Sequence, residues 1–260
     1  MLARGALAVL VGLGATSTTG CATKPRDAQG GAVTVPRSLA PLDAKKLADE
    51  IGKGAPEPAR IWQTMPEGPR RIIEQRLAKL TTVEEKAKEI ERRQGAINMD
   101  DSGAAVAELF YLLEEVSFGP ASDARTDARA SLAGLYGIAK TASDATRWAE
   151  SLARDLGVKP NEQGLTVFLQ HFAAEGDVQH RAFVAAVLRE GKPAAVARAL
   201  LAHAQFLVNK RDFAGALKMR EHALSANPAQ PADSWIALAA AYSIVLDADR
   251  AAIALQKSEG

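Results

Sequence analysis

Residues Ala197 to Pro228 read ARALLAHAQFLVNKRDFAGALKMREHALSANP. Two helical halves meet at Lys210-Arg211-Asp212. Apolar and small residues recur at helical spacing on either side: Leu200, Ala204 and Leu207 before the break, then Phe213, Ala216, Leu217, Ala223 and Leu224. Pro228 closes the unit. Displaced forward by thirty-five residues the pattern returns, with Trp235 for Leu200, Ala239 for Ala204, Tyr242 for Leu207 and Ala251 for Ala216. Displaced backward by the same step it meets Leu165, Phe172, Asp177, Val178 and Pro193. A period near 35 with two helices per unit predicts a helical solenoid.

Composition agrees with an all-α chain. The 260 residues are 47% hydrophobic, with alanine dominant, and only 5% aromatic. Alanine is the best helix former and offers little to a strand. Lys and Arg total 32 against 31 Asp and Glu, interspersed, for a net charge of +1. That balance lacks the basic footprint of a nucleic-acid binder, so no nucleic-acid partner is expected. The single cysteine excludes an internal disulfide.

That cysteine stands at the end of a distinctive N-terminus. Met1-Leu-Ala-Arg4 is basic, Gly5 to Ala15 carries no charge, and small polar residues lead to Gly20-Cys21. This is the form of an export signal, with an apolar run too short to span a bilayer. With Gly20 directly before Cys21, residues 1–20 resemble a bacterial lipoprotein signal peptide. The resemblance implies cleavage before Cys21, acylation of its thiol, and a lipid anchor. Ala22 in place of an aspartate implies the outer membrane, periplasmic face, by the same resemblance. Residues 21–40, with Pro, Gly, Ser and Thr and no helical period, read as the lipidated end and a flexible linker.

Residues 41–120 read as an N-terminal helical region. A short helix from Asp43 to Ile51 stops at Gly52, prolines 56, 58, 66 and 69 make an irregular connector around Trp62, and Pro69 starts a helix. Thr81-Thr82-Val83-Glu84 gives a capping-box pattern for the next. Asp100, Asp101 and Ser102 offer caps for a largely apolar helix ending at Gly119-Pro120.

Residues 121–260 read as four helix pairs: Thr126 to Pro160, Asn161 to Pro193, Ala194 to Pro228, and Ala232 onward. In the third, Leu200, Ala204, Leu207, Asp212, Phe213, Ala216, Ala223 and Pro228 resemble the tetratricopeptide repeat. Trp235, Leu238, Ala239, Tyr242, Ala251 and Leu255 carry the likeness in the fourth, and Gly176-Asp177-Val178 matches the turn in the second. Arg220 and Arg181 depart from it. The resemblance implies a TPR-like groove lined by the first helix of each pair, binding envelope proteins or peptide segments. Helical phase assigns Arg198, Leu201, Gln205, Val208 and Asn209 to that surface, followed by Asp233, Ile236, Ala240 and Ser243. The array ends without a polar capping helix, so Ile253 and Leu255 are expected to present an apolar edge for a partner or a second copy.

Catalytic motifs are sparse. His171, His180, His203 and His222 lack metal-ligand spacing. Pairings of His171 with Glu175, or His180 with Asp177, are read as satisfied or solvated side chains. Glu150-Ser151 bears comparison with the catalytic pair of lytic transglycosylases, without that family's other motifs. The expectation is a lipid-anchored scaffold or assembly factor that is not an enzyme and uses no cofactor or metal. A cell-wall-active enzyme built on Glu150, or a purely structural spacer, are the alternatives.

Overall fold

The computed structural model describes residues 42–94, 103–139, 144–159, 163–227 and 232–244. Cys21, the linker, the caps at 100–102, Pro160, Pro228, and the edge at Ile253 and Leu255 lie outside these residues. The described residues form ten α-helices and no strand. They are α1 (Ala44–Ile51), α2 (Glu67–Leu77), α3 (Val83–Gln94), α4 (Gly103–Ser117), α5 (Asp123–Gly137), α6 (Ala145–Leu156), α7 (Gln163–Glu190), α8 (Pro193–Asn209), α9 (Phe213–Ala226) and α10 (Ala232–Ile244). A single 3₁₀ turn, Trp62–Thr64, sits between α1 and α2. The chain is all-α.

Local chemistry sets most boundaries. The Asp43 carboxylate accepts from the Lys46 amide (3.0 Å) at the start of α1, and Gly52 follows its end. Ser122 caps α5 in the same way. The capping box that opens α3 is one residue later than the sequence pattern suggests. The Glu85 amide donates to Thr82 Oγ1 (3.1 Å) and the Glu85 carboxylate accepts from the Thr82 and Thr81 amides (3.0 and 2.8 Å). Glu85, three residues after Thr82, has the reach that Glu84 lacks from that cap. Gly157 (φ 69°) closes α6 in the left-handed region, and Pro193 occupies the first turn of α8.

The largest departure from expectation is α7. The pair assigned to Asn161–Pro193, with its turn at Gly176-Asp177-Val178, is instead one continuous helix of 28 residues. At 1.5 Å per residue it is about 42 Å long, and it packs against α1, α5, α6 and α8. Gly176 is a contact residue, not a turn. A Cβ there would lie 3.1 Å from Ala139 Cβ and 3.2 Å from the Tyr136 carbonyl oxygen. Glycine inside a helix costs about 1 kcal/mol relative to alanine, and here it lets the end of α5 approach the α7 backbone. Gly137 does the reciprocal service, since its added Cβ would meet His180 Nδ1 at 2.8 Å.

One apolar core runs from Leu47 in α1 to Ala223 in α9. A smaller cluster joins Leu224 to Trp235, Leu238, Ala239 and Tyr242, so α10 is attached through α9. α8 and α9 form the expected hairpin. The break falls at residues 210–212, Arg211 takes a positive φ (63°), and Asp212 Oδ1 accepts from the Gly215 amide (2.9 Å) to cap α9. Leu200, Ala204, Ala216, Ala223 and Leu224 are all buried. Phe213 is not: it stands 57% exposed at the first position of α9 and fills no gap between helices. No helix among the described residues is long and apolar enough to cross a membrane.

Candidate functional site

The residues assigned to a groove on α8 share one stripe but are not uniformly open. Arg198 is exposed and paired with Asp127 of α5. Leu201 and Val208 are partly covered, packed against the main core. Gln205 donates to Asn209 Oδ1 on its own helix (3.2 Å), and Asn209 is exposed. The apolar part of the stripe is thus partly turned to the core, and α8 packs against α5 as well as against α7 and α9. On α10, Ile236 is 48% exposed and Ala240 is exposed. Asp233 and Ser243 belong to the same helix. The open part of the surface is therefore Asn209, Ile236 and Ala240, with Arg198 at one edge. Glu150 is exposed on α6, next to buried Ala149.

Two polar groups inside the helical stack were not anticipated. The first is a histidine pair at the junction of α5, α7 and α8. His180 is fully buried and His203 is 6% exposed. His180 Nδ1 lies 2.6 Å from the Ala133 carbonyl oxygen, which can only accept, so Nδ1 carries the proton. The Nε2 of neutral His180 then accepts from His203 Nδ1–H at 2.9 Å. Both rings stack on Phe206 (centroids 4.3 and 5.7 Å), and Lys210 Nζ lies over the Phe206 ring, 5.4 Å from its centroid. Asp177, the partner considered for His180, pairs with Lys210 instead.

Burial pushes His180 down to about 4, against the raising effect of the carbonyl bond. His203 is pushed down to about 3, first by burial and then by its neighbour. A folded pKa below the unfolded value of about 6.5 means that the native state binds fewer protons. The pair's share of stability is therefore complete above about pH 6.5 and is lost as pH falls through 4. Thermal melts at pH 7 and pH 4.5 should show a lower Tm in acid, and His203→Phe should flatten that dependence. An equal acid sensitivity in the variant would exclude the pair as its source.

The second group is Glu114 on α4, 2% exposed. Its carboxylate accepts from the Ile61 amide (2.6 Å) and the Trp62 amide (3.2 Å to each oxygen). Burial raises it to about 7, although both amides and Arg60 act in the opposite direction. A signal for it exists in the sequence. Ala107, Phe110, Glu114 and Ser117 fall on one helical stripe, so a carboxylate sits on the core face of an apolar helix. The histidines are 23 residues apart on separate helices, and no spacing rule connects them.

A cavity of about 20 Å³ between α4, α5, α6 and α7 is lined by apolar side chains including Phe110, Trp148, Phe168 and Phe172. That is about the space of one water-sized sphere and too small for a metabolite. Among the described residues no group of three His, Cys, Asp or Glu is arranged to hold a metal ion. Compared with known proteins, the chain matches no family model, no curated protein and no solved structure.

Proposed function

We propose that this chain is a lipid-tethered scaffold or assembly factor of the bacterial envelope, anchored by Cys21 at the periplasmic face of the outer membrane. It engages envelope proteins or peptide segments through its C-terminal helices. The observation that carries the reading is the α8–α9 hairpin. Its turn, its Asp212 cap and its buried small residues Ala204, Ala216 and Ala223 support the reading, since the resemblance to the tetratricopeptide repeat rests on these residues. Small residues at those positions let paired helices approach closely, which is how such arrays present an extended face. Relative to a four-repeat groove, the proposed surface is shorter, because continuous α7 leaves α8, α9 and α10 as the repeat-like part.

Photo-crosslinking in intact cells tests this directly. A photoreactive side chain at Asn209 or Ile236 should give discrete protein adducts, whereas the same group at Glu150 should not. Replacement Cys21→Ser should remove the lipid from the mature protein and reduce the adducts severalfold by releasing the chain from the membrane. Absence of adducts at both C-terminal positions, with the protein folded and exported, would overturn the scaffold reading.

A further inference from the structure

The segment joining α1 to α2 crosses the helical body in a way that its sequence does not require. Residues 54–65 run over α4 and α7, and at the middle of the segment three backbone amides, those of Ala59, Ile61 and Trp62, are bonded to side chains of the two helices. The Ala59 amide donates to Gln179 Oε1 of α7 (3.0 Å), and the Ile61 and Trp62 amides donate to Glu114 of α4. Gln179 is itself buried. Gly54 (φ 73°) marks the entry to the strap, and nothing lies within 4 Å of the place where its Cβ would be. Arg181 of α7 donates to the Lys53 carbonyl (3.0 Å) at that same end.

Glu114 is the centre of this arrangement. The charges that act on it are Arg60 from the strap and Glu115 beside it on α4, and it in turn acts on Tyr136 of α5; the strap it holds is also bonded to Gln179 of α7 and, through Trp62 Nε1 (3.0 Å), to Glu74 of α2. Arg60 is turned to Glu115 (3.5 Å) and to the Phe118 ring, and Lys86 also pairs with Glu115. Among the described residues no lysine, arginine or histidine makes an ion pair with Glu114. An ionised carboxylate here has two amide donors and no contacting cation, in a site almost closed to water. Burying such a charge is costly unless it is paired. A neutral carboxyl keeps its acceptor oxygen for the strap amides and avoids the cost.

We propose that residues 54–65 are a proton-governed clasp, closed on α4 and α7 when Glu114 is neutral and loosened when Glu114 ionises. Opening the strap returns the carboxyl to water, where its ordinary value of 4.5 applies, while closure raises it to about 7. The closed form therefore binds more protons between those values, and rising pH favours opening.

Amide hydrogen exchange on the full folded chain at pH 6 and pH 8 tests this, with rates corrected for intrinsic chemistry. The opening equilibrium at Ile61 and Trp62 should rise on the order of tenfold between the two conditions, while core amides of α7 stay unchanged. In Glu114→Gln the rise should vanish. Equal protection at both pH values in the wild type, or the same rise in the variant, would overturn the clasp. Should the variant not fold, a carboxyl ¹³C titration of the wild type decides: a Glu114 midpoint near 7 upholds the proposal, and one at or below 4.5 overturns it.

Discussion

Trp62→Ala is expected to lower the unfolding free energy by about 3–5 kcal/mol, the range for removing a buried aromatic. Trp62 is 1% exposed although it lies in a short 3₁₀ turn between helices. Its ring meets Tyr111 and Phe110 at centroid separations of 5.2 and 6.2 Å, and its Nε1–H donates to Glu74. The backbone of the same residue is bonded to Glu114. Truncation therefore empties a core site, orphans part of the Glu74 bonding, and loosens the segment that docks on α4 and α7 between α1 and α2. Total stabilities of about 5–15 kcal/mol are usual, so this is a large fraction. Urea unfolding followed by far-ultraviolet circular dichroism measures it. Trp62→Phe keeps most of the ring contacts and should cost less than half as much. A loss below about 1 kcal/mol for the alanine variant would mean that the strap is not part of the cooperative core.

Asp177→Pro is expected to cost about 3 kcal/mol or more, because proline inside a helix removes one backbone bond and clashes with the preceding turn. Asp177 lies midway along α7 and is exposed, so little packing is lost with its side chain. Its ion pair with Lys210 involves two half-exposed groups and contributes at most about 1 kcal/mol. Asp177→Ala should accordingly change stability by less than about 1 kcal/mol. The contrast separates the two descriptions of this region. Had Gly176-Asp177 formed a turn opening a second helix, proline near a helix start would be tolerated. Denaturant midpoints of both variants, measured with a common slope, provide the comparison.

How far the sequence discloses this molecule differs by element. The α8–α9 hairpin is legible because three polar residues, Lys210-Arg211-Asp212, interrupt two apolar stripes, and aspartate before Phe213 is a strong cap. The starts of α1 and α8 are legible for similar local reasons, namely Asp43 and Pro193. α7 is not, because Gly176-Asp177 has the composition of a turn. Only the position of the Tyr136 carbonyl, forty residues earlier in the chain, reveals that the glycine serves a close helix contact. The exposure of the individual groove residues is equally hidden from the sequence. Leu201 and Val208 on α8 pack partly covered against the core, while Asn209 on the same stripe stays open. Periodicity gives the phase of a helix, but not which neighbour covers each face.

The buried polar groups show a second limit. His180 and His203 each sit on an apolar helical stripe, and their bond depends on the angle at which α7 and α8 meet. Glu114 was detectable as an acid in an apolar register. Its partners were not, since the Ile61 and Trp62 amides come from a proline-rich connector with no periodicity of its own.

The continuity of α7 underlies both the fold and the extent of the proposed binding surface, and a distance measurement between its halves addresses it most directly. Spin labels introduced by Val167→Cys and Arg189→Cys, in a Cys21→Ser background, occupy exposed positions on either side of Gly176. Along one straight helix their backbones are separated by about 33 Å at 1.5 Å per residue. Double electron–electron resonance should give a single narrow distribution near that distance. A dominant distance below about 20 Å, as packed antiparallel helices 8–10 Å apart would give, would contradict the account and restore a hairpin in that place.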